Sequence, residues 1–483
     1  MVFYEIKEEN AAVPGRCSSG GRALSADRSG DRRGFLTKKS ENQTSKVYRL
    51  IRDRFLLWKR NKMESNRQII IVGAGVAGMM AAISAARSGA AVTILEGMKK
   101  PGRKLLLTGN GKCNLTHLDP AIREVYGCME GGSSAAEDFV HTALSVFGVR
   151  ATLDFFEGIG VFCRQRDGYV YPRSEQAQTV LAGLCGELER LHVKTKYNSI
   201  VDEIRYDEES GKWQVSVKGW ISEADAVILC CGSKTAPGTG SDGSGYDLAK
   251  SAGHRVTELS PALTALICDD PDLALASGAR TKAKVTLLTG GSAAEGEERV
   301  LAVEEGEVQW AEHAVSGIAV FQLSRFISAE LLKRGLQLAV DLVPDRSPEE
   351  LKKALKRTRL KNETAGARQL LNGWTHDRVA GYLVRCLDRQ AKEEQDEAAC
   401  LAGILKEVRL HVTGTRGYDQ AQVTKGGVSL KEVNRETLES VLRPGLYFAG
   451  EILDIDGPCG GYNLQWAWSS GYLAGRSAAG TWS

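Results

Sequence analysis

Three glycines, Gly73, Gly75 and Gly78, are spaced as a dinucleotide-phosphate turn requires. The first makes the tight turn, the second lets backbone approach a pyrophosphate, and the third allows close helix–strand packing. With Val76 and Ala77 they open a helix whose free N–H groups and positive dipole end suit phosphate. Glu96 follows Gly73 by 23 residues, where a carboxylate accepts hydrogen bonds from an adenosine ribose. The loop Gly102–Asn114 adds charge and flexibility. Arg103 and Lys104 neutralise phosphate, Gly109 permits close approach, and Asn110 and Asn114 both donate and accept toward a flat polar ring. A strand at Asp225–Cys231 is stopped by Gly232 and runs into a glycine-rich loop. Near the end, Gly445–Gly450 is a third such strand, followed by Glu451, Asp454 and the run Gly457–Gln465. A helix beginning after Gly460-Gly461 offers its positive end to an electron-rich ring edge, such as N1–C2=O of a reduced flavin.

Apolar patterning names the elements that must position these residues. Ile69–Val72 is short and wholly apolar, as a strand buried on both faces is, and Val76–Ala86 is a small-residue helix closed by Gly89. Ala91–Leu95 is the next strand. Residues 135–160 are predicted as a helix, Val161–Tyr171 as a hairpin around Asp167-Gly168, and about 174–190 as a further helix. Strands are predicted at 192–197, 199–206 and 212–218, with a helix restarting over Asp247–Ala252. From about Ser260 the chain turns β-rich, with runs at Leu263–Cys268, Ala283–Leu288, Arg299–Val303 and Leu336–Leu342. Ser347-Pro348-Glu349-Glu350 is a capping box with proline at the first helical position, and charged helices should continue to about Glu407. A last small-residue helix is expected over about Trp466–Ala479.

Composition narrows the class. The 483 residues are 42% hydrophobic and 25% charged, as in soluble globular proteins, and no run of about 18 apolar residues could span a membrane. Eleven scattered cysteines include no Cys-x-x-Cys pair and no zinc-spaced His/Cys cluster, so we expect a reducing cytoplasm and no metal. Net charge is +3, but residues 1–62 hold fifteen Lys or Arg against seven Asp or Glu, which leaves the remainder at −5. This basic segment reads as a disordered extension, or as a stretch ahead of a start at Met63, rather than as a nucleic-acid arm.

Together the fingerprint at 73–78, the Gly102–Asn114 loop, the Thr424–Val428 turn and the Gly450–Gln465 segment resemble the bacterial FAD-dependent oxidoreductases of the BaiN-like group. The motifs Gly-Asn-Gly-x-Cys-Asn and Asp-x-Asp-Gly-x-x-Gly-Gly-Tyr-Asn-Leu-Gln carry most of that resemblance. It implies an α/β fold: a discontinuous Rossmann-like FAD domain at 63–258 and 411–483, interrupted by a β-barrel-like domain at 259–345 and a helical insert at 346–410. It also implies that Gly73, Gly75 and Gly78 hold the pyrophosphate, Glu96 the ribose, Arg103 and Lys104 the phosphates or adjoining loop, and Val201 the adenine. Gly450, Glu451, Asp454 and the Gly461–Leu464 turn, with Asn463, would cradle ribityl and ring. Two departures stand out: Cys230-Cys231-Gly232 replaces Ala-Thr-Gly, and Trp310-Ala311-Glu312-His313 stands where relatives carry Phe-Thr-x-Tyr.

No second strand–Gly-x-Gly-x-x-Gly–helix unit occurs, so NAD(P)H would dock transiently beside a resident FAD. The best-known members of the group are 3-dehydro-bile acid Δ4,6-reductases of gut clostridia. The resemblance therefore implies saturation of C=C bonds conjugated to a 3-oxo steroid, a small apolar enone. The rival functions are a flavin amine oxidase that makes hydrogen peroxide and an RNA-binding or RNA-modifying flavoprotein, although no nucleic-acid partner is expected from the slightly acidic body. Tyr462, His313 and Cys459 are the candidate proton donors, because they lie in the motif regions.

Overall fold

The computed structural model describes residues 67–119, 121–130, 132–289, 298–390 and 396–480; the basic 1–62 segment and Met63 lie outside them. Five parallel strands form the central sheet: β1 (Gln68–Val72), β2 (Ala91–Leu95), β3 (Lys194–Lys196), β4 (Ala226–Leu229) and β5 (Leu446–Phe448), in the order β5-β4-β1-β2-β3. Ile69 of β1 pairs with Ala226 on one side and Val92 on the other, so β1 is central in the sheet, and Ile69–Val72 are all buried, as in a parallel strand covered on both faces. The three strands that end in glycine, β1, β4 and β5, are therefore neighbours, and their loops open at the same sheet end. The chain leaves β1 for β2 on one side and returns as β4 on the other, the reversal point where such sheets bind ligands.

Helices α1 (Val76–Arg87) and α2 (Tyr462–Ala478) bring the first and last fingerprints together. Small residues let their backbones touch. A Cβ on Gly471 would stand 2.4 Å from the Ala77 carbonyl oxygen, and one on Gly475 would stand 2.2 Å from that of Ala81. Gly475→Val must push these helices apart, and we expect a loss of at least about 3 kcal/mol in urea unfolding, or no soluble protein. A variant as stable as the wild type would contradict this packing.

The inserted part folds around a second core. Leu266–Cys268, Ala314–Ser316, Val300–Ala311, Arg280–Thr289, Leu336–Asp341 and Val408–Thr415 close into an antiparallel barrel, each strand paired with the next and the last with the first. Helices Pro348–Lys361, Ala367–Asn372, Asp377–Gln390 and Glu397–Lys406 share that core through Leu351, Leu371, Leu383 and Leu405. The expected boundary at 410/411 is thus corrected, because it cuts the strand Val408–Thr415. Val408, Leu410 and Val412 alternate into the barrel there, a period-2 pattern that belongs to the β insert.

Other expectations shift for local reasons. The predicted helix 135–160 is two helices, Gly132–Val146 and Val149–Gly158, because Gly148 is extended (φ −87, ψ −171) and caps the second. Leu263 has φ 52, which breaks the run Leu263–Cys268 so that the barrel strand begins at Leu266. The strand expected at 199–206 is Glu203–Asp207, and residues 199–201 instead cross the cavity described below. Trp220–Ala224 is a strand that patterning missed, since its Trp220 and Ile221 are exposed. Finally, α2 starts at Tyr462, four residues earlier than predicted, directly at the glycine pair.

Candidate functional site

At the carboxyl ends of β1, β4 and β5 the loops enclose a cavity of about 720 Å³. Gly73 turns the chain away from β1 with φ 102, and a Cβ there would stand 2.6 Å from the Cys230 carbonyl oxygen, so only glycine fits. Gly78 does not line the cavity. Its Cβ would stand 2.0 Å from the Gly73 oxygen, so its role is to let α1 lie against the turn. Gly75 differs from both: its φ is −77, and no atom lies within 4 Å of the place a Cβ would take. Together with Val76 and Ala77 it faces the cavity with backbone N–H groups at the start of α1.

Glu96 stands at the end of β2, where its Oε2 accepts from Ala74 N (2.7 Å) and its Oε1 from Met98 N (2.8 Å). Each oxygen keeps a second lone pair for a ribose hydroxyl. Beside it, Val201 and Gly232 line the same end of the cavity, with Ser199 and Ile200. Arg103 and Lys104 line the middle. Lys104 Nζ donates to Thr235 Oγ1 (2.8 Å) and forms an ion pair with Glu451 Oε2 (2.6 Å), so two residues expected to serve the ligand separately act as one neutral pair.

The ring end is built from strained backbone. Gly109, Asn110 and Gly111 follow one another at positive φ, a left-handed run that only glycine and asparagine tolerate readily. Behind this loop Asn114 is buried, and its Oδ1 has no hydrogen-bond partner although it borders the cavity. Across from it, Gly450, Glu451, Gly461, Asn463 and Leu464 line the wall where α2 begins. The Asn463 amide clamps its own turn, accepting from Gly457 N (2.8 Å) and donating to Gly457 O (2.8 Å). What Asn463 presents to the cavity is therefore its backbone at the start of α2.

Several expected residues need correction. Asp454 does not face the cavity; fully buried, it accepts from Met129 N (2.8 Å) and Glu130 N (3.1 Å) and so pins a neighbouring loop. His313 sits exposed in the turn between barrel strands beside Glu312, outside the cavity lining, because it belongs to a hairpin tip. Tyr462 directs its hydroxyl to Asp119 Oδ2 (3.0 Å) while its ring stacks on His117 at 5.0 Å. Burial, and then the Asp119 contact, raise its pKa, so its proton is held and aimed away from the cavity. Cys459 does line the cavity, but burial pushes its thiol up to about 11, and it donates to Gln422 Oε1 (3.2 Å), which leaves a poor nucleophile. Sequence reading missed Tyr169, Tyr171 and Gln422 on the ring-end wall and Leu263, Ile318 and Phe321 at the barrel side. The hairpin strand Tyr169–Pro172 alternates, and that signal marked the two tyrosines as sharing a face.

The family model described as the HI0933-like protein Rossmann domain matches residues 67–477. The chain belongs to that family. A 3-dehydro-bile acid Δ(4,6)-reductase of Clostridium scindens is 39% identical over 427 residues, covering 85% of this chain and 99% of the relative. Ribosomal RNA dihydrouridine synthases are more distant. The one from Escherichia coli is 28% identical over 84% of this chain and 96% of its own length, and the one from Haemophilus influenzae is 27% identical over 86% and 99%. Family members of this kind are FAD-dependent oxidoreductases, and so is this chain. The site fits the cofactor: the open space before Gly75 suits a pyrophosphate, the unpartnered Asn114 Oδ1 suits a ring N–H, and the α2 start suits the ring's electron-rich edge. Bound there, FAD supplies two-electron hydride chemistry that side chains lack. Among the described residues no cluster suited to a metal ion occurs, and no helix is long and apolar enough to cross a membrane.

Proposed function

We propose that the protein saturates a carbon–carbon double bond conjugated to the ketone of a 3-oxo-4,6-diene steroid acid, with NAD(P)H as reductant. The observation that carries this is the near full-length similarity to the clostridial reductase. The site's shape supports it. Leu263, Ile318 and Phe321 give the ring end an apolar approach where the barrel's helix Ile318–Ser324 meets the dinucleotide domain. Large apolar ligands favour such junctions, with few polar groups to fix their orientation. In balance, the steroid gains two electrons and two protons, one hydride equivalent and one proton, while NAD(P)H becomes NAD(P)⁺. The chain's residues hold the cofactor through 73–77 and Glu96, close the ring end with the 109–114 loop, and keep water from the reacting bond with the barrel wall. A nicotinamide would reach the ring from the open side, since the chain carries a single fingerprint. Free thiols throughout the described residues suit the reducing cytoplasm we propose for it.

A second reading has its own observation: the dihydrouridine synthase relatives. Dihydrouridine is uridine with its carbonyl-conjugated C5=C6 bond saturated, so the bond type is the same and only the carrier differs. Anaerobic reduction of the yellow protein by NADH or NADPH, followed by separate mixing with the steroid dienone, ribosomal RNA or oxygen, distinguishes them. The steroid should reoxidise the flavin fastest. Fastest reoxidation by oxygen, with peroxide, would make the protein an oxidase, and fastest reoxidation by RNA would make it an RNA-modifying enzyme.

A further inference from the structure

One ammonium group joins loops that lie 131 and 347 residues away from it in the chain. Lys104 Nζ donates to Thr235 Oγ1 (2.8 Å), in the loop after β4, and to Glu451 Oε2 (2.6 Å), just after β5. Two hydroxyls complete the bracket. Thr235 Oγ1 lies 3.0 Å from Ser233 Oγ, and Ser233 Oγ donates to the same Glu451 Oε2 at 3.4 Å. Ser233 and Thr235 are fully buried, and Ser233 is pinned in turn, its N–H donating to Ser241 Oγ (3.0 Å). The bracket is therefore fixed to the framework of the sheet and not to solvent.

Its two basic neighbours have different surroundings. Two of the three N–H bonds of Lys104 are committed within the bracket, and its charge is matched by Glu451. Arg103 lines the cavity, is exposed, and has no ion pair or hydrogen bond to its guanidinium among the described residues. The N–H of Gly102, one residue before it, donates to Ala74 O (2.9 Å), which anchors Arg103 beside the phosphate turn. On Glu451 both contacts fall on Oε2, so Oε1 is left without a partner on a residue that lines the cavity.

Charge gives this division a physical reason. Glu451 follows Gly450, where an added Cβ would stand 2.8 Å from Ala77 Cβ at the start of α1. A bare carboxylate so near that helix start would repel a pyrophosphate bound there. The ammonium cancels the charge, so the pair neither attracts nor repels phosphate. Glu451 still keeps a carboxylate oxygen for a neutral donor, and the donors between the phosphates and the ring of FAD are the ribityl hydroxyls.

We propose that Lys104 is a positioning residue and not a phosphate ligand: it holds Glu451 so that Oε1 accepts from a ribityl hydroxyl, and it leaves Arg103 to neutralise the phosphates. The inference concerns the cofactor and does not depend on which substrate the flavin reduces.

ADP carries the diphosphate and adenosine but no ribityl chain, so it separates the two roles. The apo-protein is titrated with FAD by flavin fluorescence, and with ADP as its competitor. Arg103→Met should weaken FAD and ADP alike, by about tenfold. Lys104→Met should also weaken both, because it strands the Glu451 charge beside the phosphates. The double variant Lys104→Met/Glu451→Met decides between the roles. With both charges gone, ADP should return to within about twofold of wild type, while FAD stays about tenfold weaker for want of the ribityl acceptor. Restored ADP binding also shows that the double variant is folded. The milder Glu451→Gln frees the ammonium's charge and should tighten ADP about threefold. A folded double variant that binds ADP as poorly as Arg103→Met would make Lys104 a phosphate ligand, and one that binds FAD as tightly as wild type would remove the ribityl contact. Either result overturns the proposal. So would a Glu451→Gln protein with no gain for ADP, or a wild type whose FAD is not displaced by ADP, since its phosphates would then lie elsewhere.

Discussion

Gly75→Val is expected to give a folded protein that purifies without its yellow cofactor. Glycine is not required there by the backbone, since φ is −77, and a Cβ at this position would meet no atom within 4 Å. What the valine fills is the space before the α1 start, where the pyrophosphate must come within hydrogen-bond reach of backbone N–H groups. FAD affinity should fall by at least about a hundredfold, equivalent to about 2.7 kcal/mol, with little change in apo-protein unfolding. Gly78→Val is the contrast. Its side chain would strike the Gly73 oxygen at 2.0 Å, so the fold itself should fail. Titration of the two apo-proteins with FAD, alongside circular dichroism, separates these results. A Gly75→Val protein with full flavin content would place the phosphates elsewhere.

The second large effect concerns Arg325→Ala. Arg325 Nε donates to Asp456 Oδ2 at 2.7 Å, with the two side chains only 13% and 2% exposed. The same guanidinium also caps two backbone carbonyls, so it ties the end of the barrel-side helix to the segment preceding α2. Asp456 already keeps one carboxylate oxygen, Oδ1, buried without a partner. Removing the arginine leaves that charge uncompensated, which costs about 3–5 kcal/mol. Urea unfolding should show this loss, and the double variant Arg325→Ala/Asp456→Ala should recover much of it, because the stranded charge has gone. Equal stability of wild type and Arg325→Ala would show that the pair does not join the two regions.

Much of the phosphate end is legible in the chain because it is local. Gly73, Gly75, Gly78 and Glu96 lie within one strand–helix–strand unit, and their spacing dictates where each must fall. The ring end is assembled from stretches far apart in the chain, and there single residues mislead. Asp454 reads as a ligand residue from its place in a motif, yet it is fully buried and its carboxylate accepts from the backbone N–H groups of residues 129 and 130. His313 reads as a catalytic candidate from the same kind of position, but a hairpin carries it to the surface. Tyr169 and Glu304 draw no attention in sequence. They line one chamber beside the main cavity only because the barrel part and the dinucleotide part of the chain share a wall there, and barrel closure depends on pairings such as Leu266 with Thr415, about 150 residues apart. The barrel strand Val408–Thr415 shows the same limit, since its alternation is visible while its partner is not.

The most direct test of the proposed activity is the fate of the steroid itself. Incubated anaerobically with holoenzyme and NADH or NADPH, the 3-oxo-4,6-diene steroid should gain two hydrogens for each nucleotide oxidised, with loss of its extended-conjugation absorbance. A steroid recovered unchanged while the same enzyme turns over with an amine or with ribosomal RNA would contradict the account.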